Sequence, residues 1–222
     1  MCWSATADLV AGSGVAAVGA ACVALVRRIR ELPLAALPLL LGAHQIVESS
    51  VWDSGGGSGP ATVAWAVIAL PLLAVWVPVA VLCAAPPHAR LRLVVPLAAG
   101  AVTAALLAHA LATEPVTADI RGRTVGYVVH VSPVPLLVAG YLLATVGSLL
   151  LSGDRRLLGL GVLAAVGASV CWALWRLEFV STWCAFAAVC SVVLLGWVRA
   201  GRAPAERRSR RDTGDPAPRT GA

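Results

Sequence analysis

The chain contains no lysine and no asparagine, and only 13% of its 222 residues carry a charge. Soluble domains average about 25% charged residues, so a chain this poor in charge and 59% hydrophobic falls outside that class. All 17 basic residues are arginine, a codon bias that fits a GC-rich bacterial genome. Further absences narrow the activity. There is no nucleophile elbow, phosphate loop, His-Glu-x-x-His pair or dinucleotide fingerprint, so the common enzyme chemistries lack their signatures. No basic region precedes the first apolar run and no small-residue cleavage pattern follows it, which argues against a removable signal peptide. Cys2 has no apolar region before it and does not read as a lipoprotein cysteine. No internal repeat divides the chain into matching halves, which weakens a carrier reading.

What is present is a series of seven apolar stretches, at about 6–26, 33–52, 61–83, 93–112, 133–151, 157–176 and 182–198. Each is near the roughly 20 residues that cross a bilayer as a helix. Backbone groups in lipid must be satisfied within their own segment, so the expected fold is all-α. The arginines mark every second loop. Arg27, Arg28 and Arg30 follow the first stretch, Arg90 and Arg92 the third, and Arg155 and Arg156 the fifth. Arg199, Arg202, Arg207, Arg208, Arg210, Arg211 and Arg219 follow the seventh, leaving only Arg121, Arg123 and Arg176 for the other side. Positive charge near helix ends is retained in the cytoplasm. The sequence therefore predicts a polytopic seven-transmembrane-helix bundle over 1–199, N-terminus out and C-terminus in, in a bacterial plasma membrane. Residues 200–222 form a disordered basic cytoplasmic tail whose arginines can meet anionic lipid head groups. The net charge of +6 is thus topological and does not indicate nucleic acid.

The first stretch is rich in Gly12, Gly14, Ala16, Gly19 and Ala20, as a closely packed helix would be. Pro71 and Pro78 are expected to kink the third. The run Asp53-Ser54-Gly55-Gly56-Gly57-Ser58-Gly59-Pro60 reads as a flexible outer loop. In the long loop 113–132, Asp119-Ile120-Arg121-Gly122-Arg123-Thr124-Val125 resembles two short β segments meeting at a glycine turn. They form either a small outer lid or a plain connector. Trp52, Trp172, Trp175 and Trp183 at outer ends and Trp197 at an inner end read as interfacial anchors.

Chemistry concentrates in the second stretch. His44 and Glu48 are spaced i, i+4, and Trp52 continues the same face. Ionisable groups at that depth usually face the bundle interior or a water-filled cavity. Asp8, His109 and Glu178 are the expected neighbours of this pocket, with Glu114 and His130 near the same face. An outer mouth holding Asp8, Glu48, Asp53, Glu114, Asp119 and Glu178 would attract a cation. A metal on His44, Glu48 and His109 is conceivable from the residue types, although no compact ligand motif supports it. The purely structural alternative pairs His44 with Glu48, or Glu48 with Arg176. Cys2 and Cys184 both lie near the outer surface and are candidates for a disulfide, with Cys171 an alternative partner. Cys22, Cys83 and Cys190 read as apolar packing residues.

Two parts of the chain also carry a resemblance. Met1-Cys2-Trp3-Ser4-Ala5-Thr6-Ala7 resembles the Met-Cys-aromatic-Ser-Ala-Thr-Ala opening of an uncharacterised, actinobacterial-type multi-span membrane family. Leu32-Pro33-Leu34-Ala35-Ala36-Leu37-Pro38-Leu39-Leu40, followed by Gln45, Glu48 and Trp52, is similar to that family's second helix. Ser181-Thr182-Trp183-Cys184-Ala185-Phe186-Ala187-Ala188 is similar to its last. The likeness runs from Met1 to about Trp197 and implies the same membrane topology. It points to Cys2, Glu48, Trp52 and Cys184, and because that family often has glutamine at position 44, it shifts weight from His44 to Glu48. It implies no activity.

The expectation is a non-enzymatic integral membrane protein whose outer-half pocket binds a small ligand or cation, with no cofactor assigned and the lipid bilayer as its partner. The alternatives are an intramembrane metal-assisted hydrolase acting on lipid and a small transporter. Against the hydrolase, His88 falls on the inner side, away from His44 and His109. Against the transporter, polar residues gather at one end only.

Overall fold

The computed structural model describes residues 4–174, 186 and 188–200. The chain is mostly helical. Helix α1 (Ala5–Leu25) starts at Ser4, whose Oγ accepts the Ala7 N–H at 3.2 Å and satisfies a donor that the first turn leaves open. Helix α2 (Ile29–Asp53) opens with a 3₁₀ turn at Ile29–Glu31 and becomes continuous α-helix over Leu37–Asp53. Helix α3 (Pro60–Ala84) begins on a proline, where a missing N–H costs nothing. Helix α4 (Pro87–Thr113) again enters through a 3₁₀ turn, Pro87–Leu93. These two turns start α2 and α4 earlier than hydropathy alone places them.

A hairpin of β1 (Thr117–Arg121) and β2 (Thr124–Val128) follows, and then helices α5 (Val134–Leu150) and α6 (Arg155–Leu174). Asp154 caps α6, its Oδ1 accepting the N–H groups of Arg156 and Leu157 at 2.8 and 3.2 Å. The last described helical residues are α7 (Ala188–Ala200). Helices α1 to α4 are each long and apolar enough to cross a membrane; α5 and α7 are shorter apolar helices. Val10, Val63, Val95, Val102, Leu136 and Val166 stay exposed on the helix perimeter. Hydrocarbon chains solvate such side chains as well as a protein core does, so nothing drives them inward.

Two helices carry a widened π turn. In α3 it spans Ile68–Leu72 around Pro71, and in α5 it spans Leu143–Gly147. Pro71 has no N–H to give the helix, and the Tyr141 hydroxyl of α5 donates to the Ala69 carbonyl at 2.6 Å. The expected distortion of α3 is therefore present at Pro71 and is held by a neighbouring helix.

The hairpin is in register from Thr117↔Val128 to Arg121↔Thr124, so its turn is Gly122-Arg123. Gly122 has φ +64° and, among the described residues, no non-glycine residue has positive φ, the pattern of a tight turn that needs glycine at its first central position. The two short β segments expected here are present as an antiparallel hairpin. Ala118, Ile120, Val125 and Tyr127 share one strand face by register. Ala118 and Val125 are buried with Val51 against Trp52. The glycine run between α2 and α3 departs from the flexible loop expected. Gly55, Gly56 and Gly57 adopt φ of 74°, 82° and 81°, and Gly57 pairs with Ala118 of β1. The Gly57 N–H donates to the Ala118 carbonyl at 2.8 Å and the Ala118 N–H donates back at 2.9 Å. Thr62 Oγ1 donates to the same Gly57 carbonyl at 2.9 Å.

The opposite end of the helices is packed by Leu34, Ala85, Ala89, Leu93 and Leu157 in one core cluster. Cys22, Ala35 and Val198 form a second beside it. The loops bearing Arg27, Arg28, Arg30, Arg90, Arg92, Arg155 and Arg156 meet there, away from the hairpin.

Candidate functional site

Glycine fixes the site by letting α1 and α2 touch along their backbones. A Cβ at Gly42 would fall 2.6 Å from the Ala16 nitrogen and 2.7 Å from the Gly12 carbonyl oxygen. One at Gly12 would fall 2.8 Å from the Gln45 Cβ, and one at Gly19 would run into the Leu39 backbone. One turn before Gly12, this approach brings Asp8 to α2, where it accepts the Trp52 Nε1–H on Oδ2 at 2.9 Å. Glu48 lies one turn before Trp52 on the same face. Its Oε1 accepts the Tyr127 hydroxyl of β2 at 3.3 Å.

The Tyr127 ring stacks on Trp65 of α3, with centroids 3.4 Å apart and planes 4° from parallel. Trp65 in turn lies 5.0 Å from the His44 ring, tilted by 40°. Four elements, α1, α2, α3 and the hairpin, thus converge on one polar cluster. At about 1.5 Å per residue, Glu48 sits roughly 7.5 Å from the end of α2 and His44 roughly 13.5 Å.

Burial decides how unusual this is. Asp8 and Glu48 have no exposed surface, and His44, Gln45 and Trp65 keep 6%, 3% and 2%. Carboxylates withdrawn from water require compensating donors. Trp52 and Tyr127 each supply one, and Asp8, Glu48 and Tyr127 each have at least one further interaction outside this set. Among the described residues, His44 Nε2, Gln45 Oε1 and Trp65 Nε1 are buried polar atoms without a hydrogen-bond partner. The cluster therefore offers carboxylate acceptors, an indole donor, an imidazole and an amide in one apolar setting. No three His, Cys, Asp or Glu groups come together as a metal-ligand set among the described residues.

Of the residues singled out from sequence, Asp8, His44, Glu48 and Trp52 are brought together. The Trp52 indole N–H is committed to Asp8. His109 does not join them as pocket or metal ligand. The buried face of α4 is Pro96, Gly100, Thr103, Ala104 and Leu107, and position 109 lies about 200° round from 107, so His109 is exposed. Glu114 and His130 are exposed as well, and His88 is exposed at the arginine end beside Gly153. Glu178, Arg176, Cys2 and Cys184, and the side chain of Cys171, lie outside the described residues. Cys22, Cys83 and Cys190 are free thiols.

Two members of the cluster were not evident from sequence, Trp65 and Tyr127. Trp65 is five residues into α3, roughly 7.5 Å from its end and deeper than an interfacial ring needs to be. Tyr127 shares the inward strand face with Val125, which alternation along the strand indicates.

The model of a family of unknown function (DUF6629) matches residues 1–210. No curated protein and no solved structure matches the chain.

Proposed function

The chain belongs to that family, which brings no activity with it, and from the site we propose an integral membrane protein that binds a small polar ligand at Asp8, His44 and Glu48. The site lies in the outer half of a seven-helix bundle, N-terminus out and C-terminus in, in a bacterial plasma membrane. One observation carries the binding reading: two fully buried carboxylates share a cluster with a buried imidazole whose Nε2 has no partner. Buried polar groups are ordinarily satisfied, and an exception points to an occupant. The orientation is supported by the arginine-bearing loops, which meet at the end away from the site. A ligand or cation would reach the cluster beneath the hairpin. Neither the lipid-hydrolase nor the transporter alternative gains a specific observation.

Native mass spectrometry with elemental analysis, on full-length protein purified in detergent from its own membranes, tests the site. The wild type should carry a stoichiometric small-molecule or ion adduct that Glu48→Gln loses while remaining folded. Identical adduct patterns in wild type and Glu48→Gln would remove Glu48 from any binding role. Failure of Glu48→Gln to accumulate would assign the carboxylate to structure instead.

A further inference from the structure

The unpartnered atoms of the cluster restrict the chemistry of what it binds. The Trp65 Nε1–H is a donor and nothing else, it is 2% exposed, and it has no acceptor. A metal ion or an ammonium group cannot satisfy it, because neither offers an acceptor. The Gln45 Oε1 has the opposite need, since it is buried and has no donor. An anion such as a carboxylate or phosphate would accept from Trp65 but would be set against buried Asp8 and Glu48, whose charge disfavours it. His44 Nε2, on a ring 5.0 Å from Trp65, accepts in one tautomer and donates in the other. A hydroxyl is the smallest neutral group that both accepts and donates.

We infer that the occupant presents a neutral hydroxyl to this cluster, accepting the Trp65 Nε1–H and donating to His44 or Gln45. This inference rests on the reading of the cluster as a binding site and narrows it from a small ligand or cation to a hydroxyl-bearing one. The hydroxyl can belong to a sequestered water or to an organic alcohol, and the chemistry at Trp65 is the same for both. Sequestered water commonly fills such positions, with about three hydrogen bonds to otherwise unsatisfied groups.

The test is ultraviolet resonance Raman spectroscopy of the indole N–H band in full-length protein purified in glycerol-free detergent. Subtracting the spectrum of Trp65→Phe, which keeps an aromatic ring against Tyr127, isolates one indole among the eight tryptophans. The expected difference spectrum shows a hydrogen-bonded N–H. A saturable shift of that band on adding glycerol as probe identifies an organic hydroxyl; a bonded N–H that ignores glycerol identifies water. A free N–H with and without glycerol overturns the inference. Should Trp65→Phe not accumulate, His44→Phe reads the same bridge from its other side. One indole should then move toward the free N–H position; no movement in His44→Phe and none in Gln45→Leu would overturn the bridge. A free Trp65 N–H together with a Glu48-dependent adduct would remove only the hydroxyl and leave the binding site standing, whereas loss of both would remove the site.

Discussion

A methyl group at Gly42 has nowhere to go: it would press on the Ala16 nitrogen at 2.6 Å and on the Gly12 carbonyl at 2.7 Å. Gly14, one-and-a-half turns from Gly19 on the same helix, has nothing within 4 Å of the corresponding position. Gly42→Ala should therefore destabilise the protein by about 1–3 kcal/mol, as overpacking does. Gly14→Ala should stay within about 0.5 kcal/mol of wild type. Thermal unfolding in detergent followed by tryptophan emission compares the two, and equal losses would contradict the α1–α2 approach. The sequence marks α1 as rich in small residues without telling Gly12 from Gly14, because that distinction depends on which face meets α2. His44, Glu48 and Trp52 were legible together because helical spacing puts them on one face. Tyr127 reaches Glu48 across 79 residues of chain, and a contact of that span leaves no local periodicity to read.

At the scale of elements, the hairpin depends on a single backbone conformation. Gly122 at φ +64° occupies a region that β-branched side chains avoid, so Gly122→Val should destabilise the hairpin by about 1–3 kcal/mol. Limited trypsin digestion should then cut faster at exposed Arg121 and Arg123; an unchanged rate would show that the turn tolerates the valine. The exposed Arg121–Asp119 ion pair at 3.5 Å contributes little, since surface pairs are typically worth about 0–1 kcal/mol. The strands themselves were readable from the glycine turn and the alternation around it. For the neighbouring glycine run the sequence suggests a flexible outer loop without showing its backbone, because glycine marks both free chain and positive-φ backbone. Here it is the second kind, and Gly57 adds itself to the edge of β1.

For the molecule as a whole, the loops divide between two ends. Hydropathy misses the 3₁₀ entries to α2 and α4 because those turns carry polar residues. The proposed orientation in a membrane rests on the arginines, and impermeant thiol labelling of intact cells measures it directly. Arg123→Cys should label on intact cells, and Arg156→Cys only after permeabilisation. The reverse pattern would invert the topology, and labelling of both would dissolve the two-sided assignment. The same reagent, used without reductant, tests a Cys2–Cys184 bridge, because labelling of Cys2 excludes it.

The hydroxyl that contacts Glu48 is carried by a strand lying outside the helices, on a hairpin of two five-residue strands clasped to Gly57. Under the proposed binding reading, an occupant of Glu48 would leave no faster than that small sheet separates from Gly57, which would tie its release to a handful of backbone hydrogen bonds.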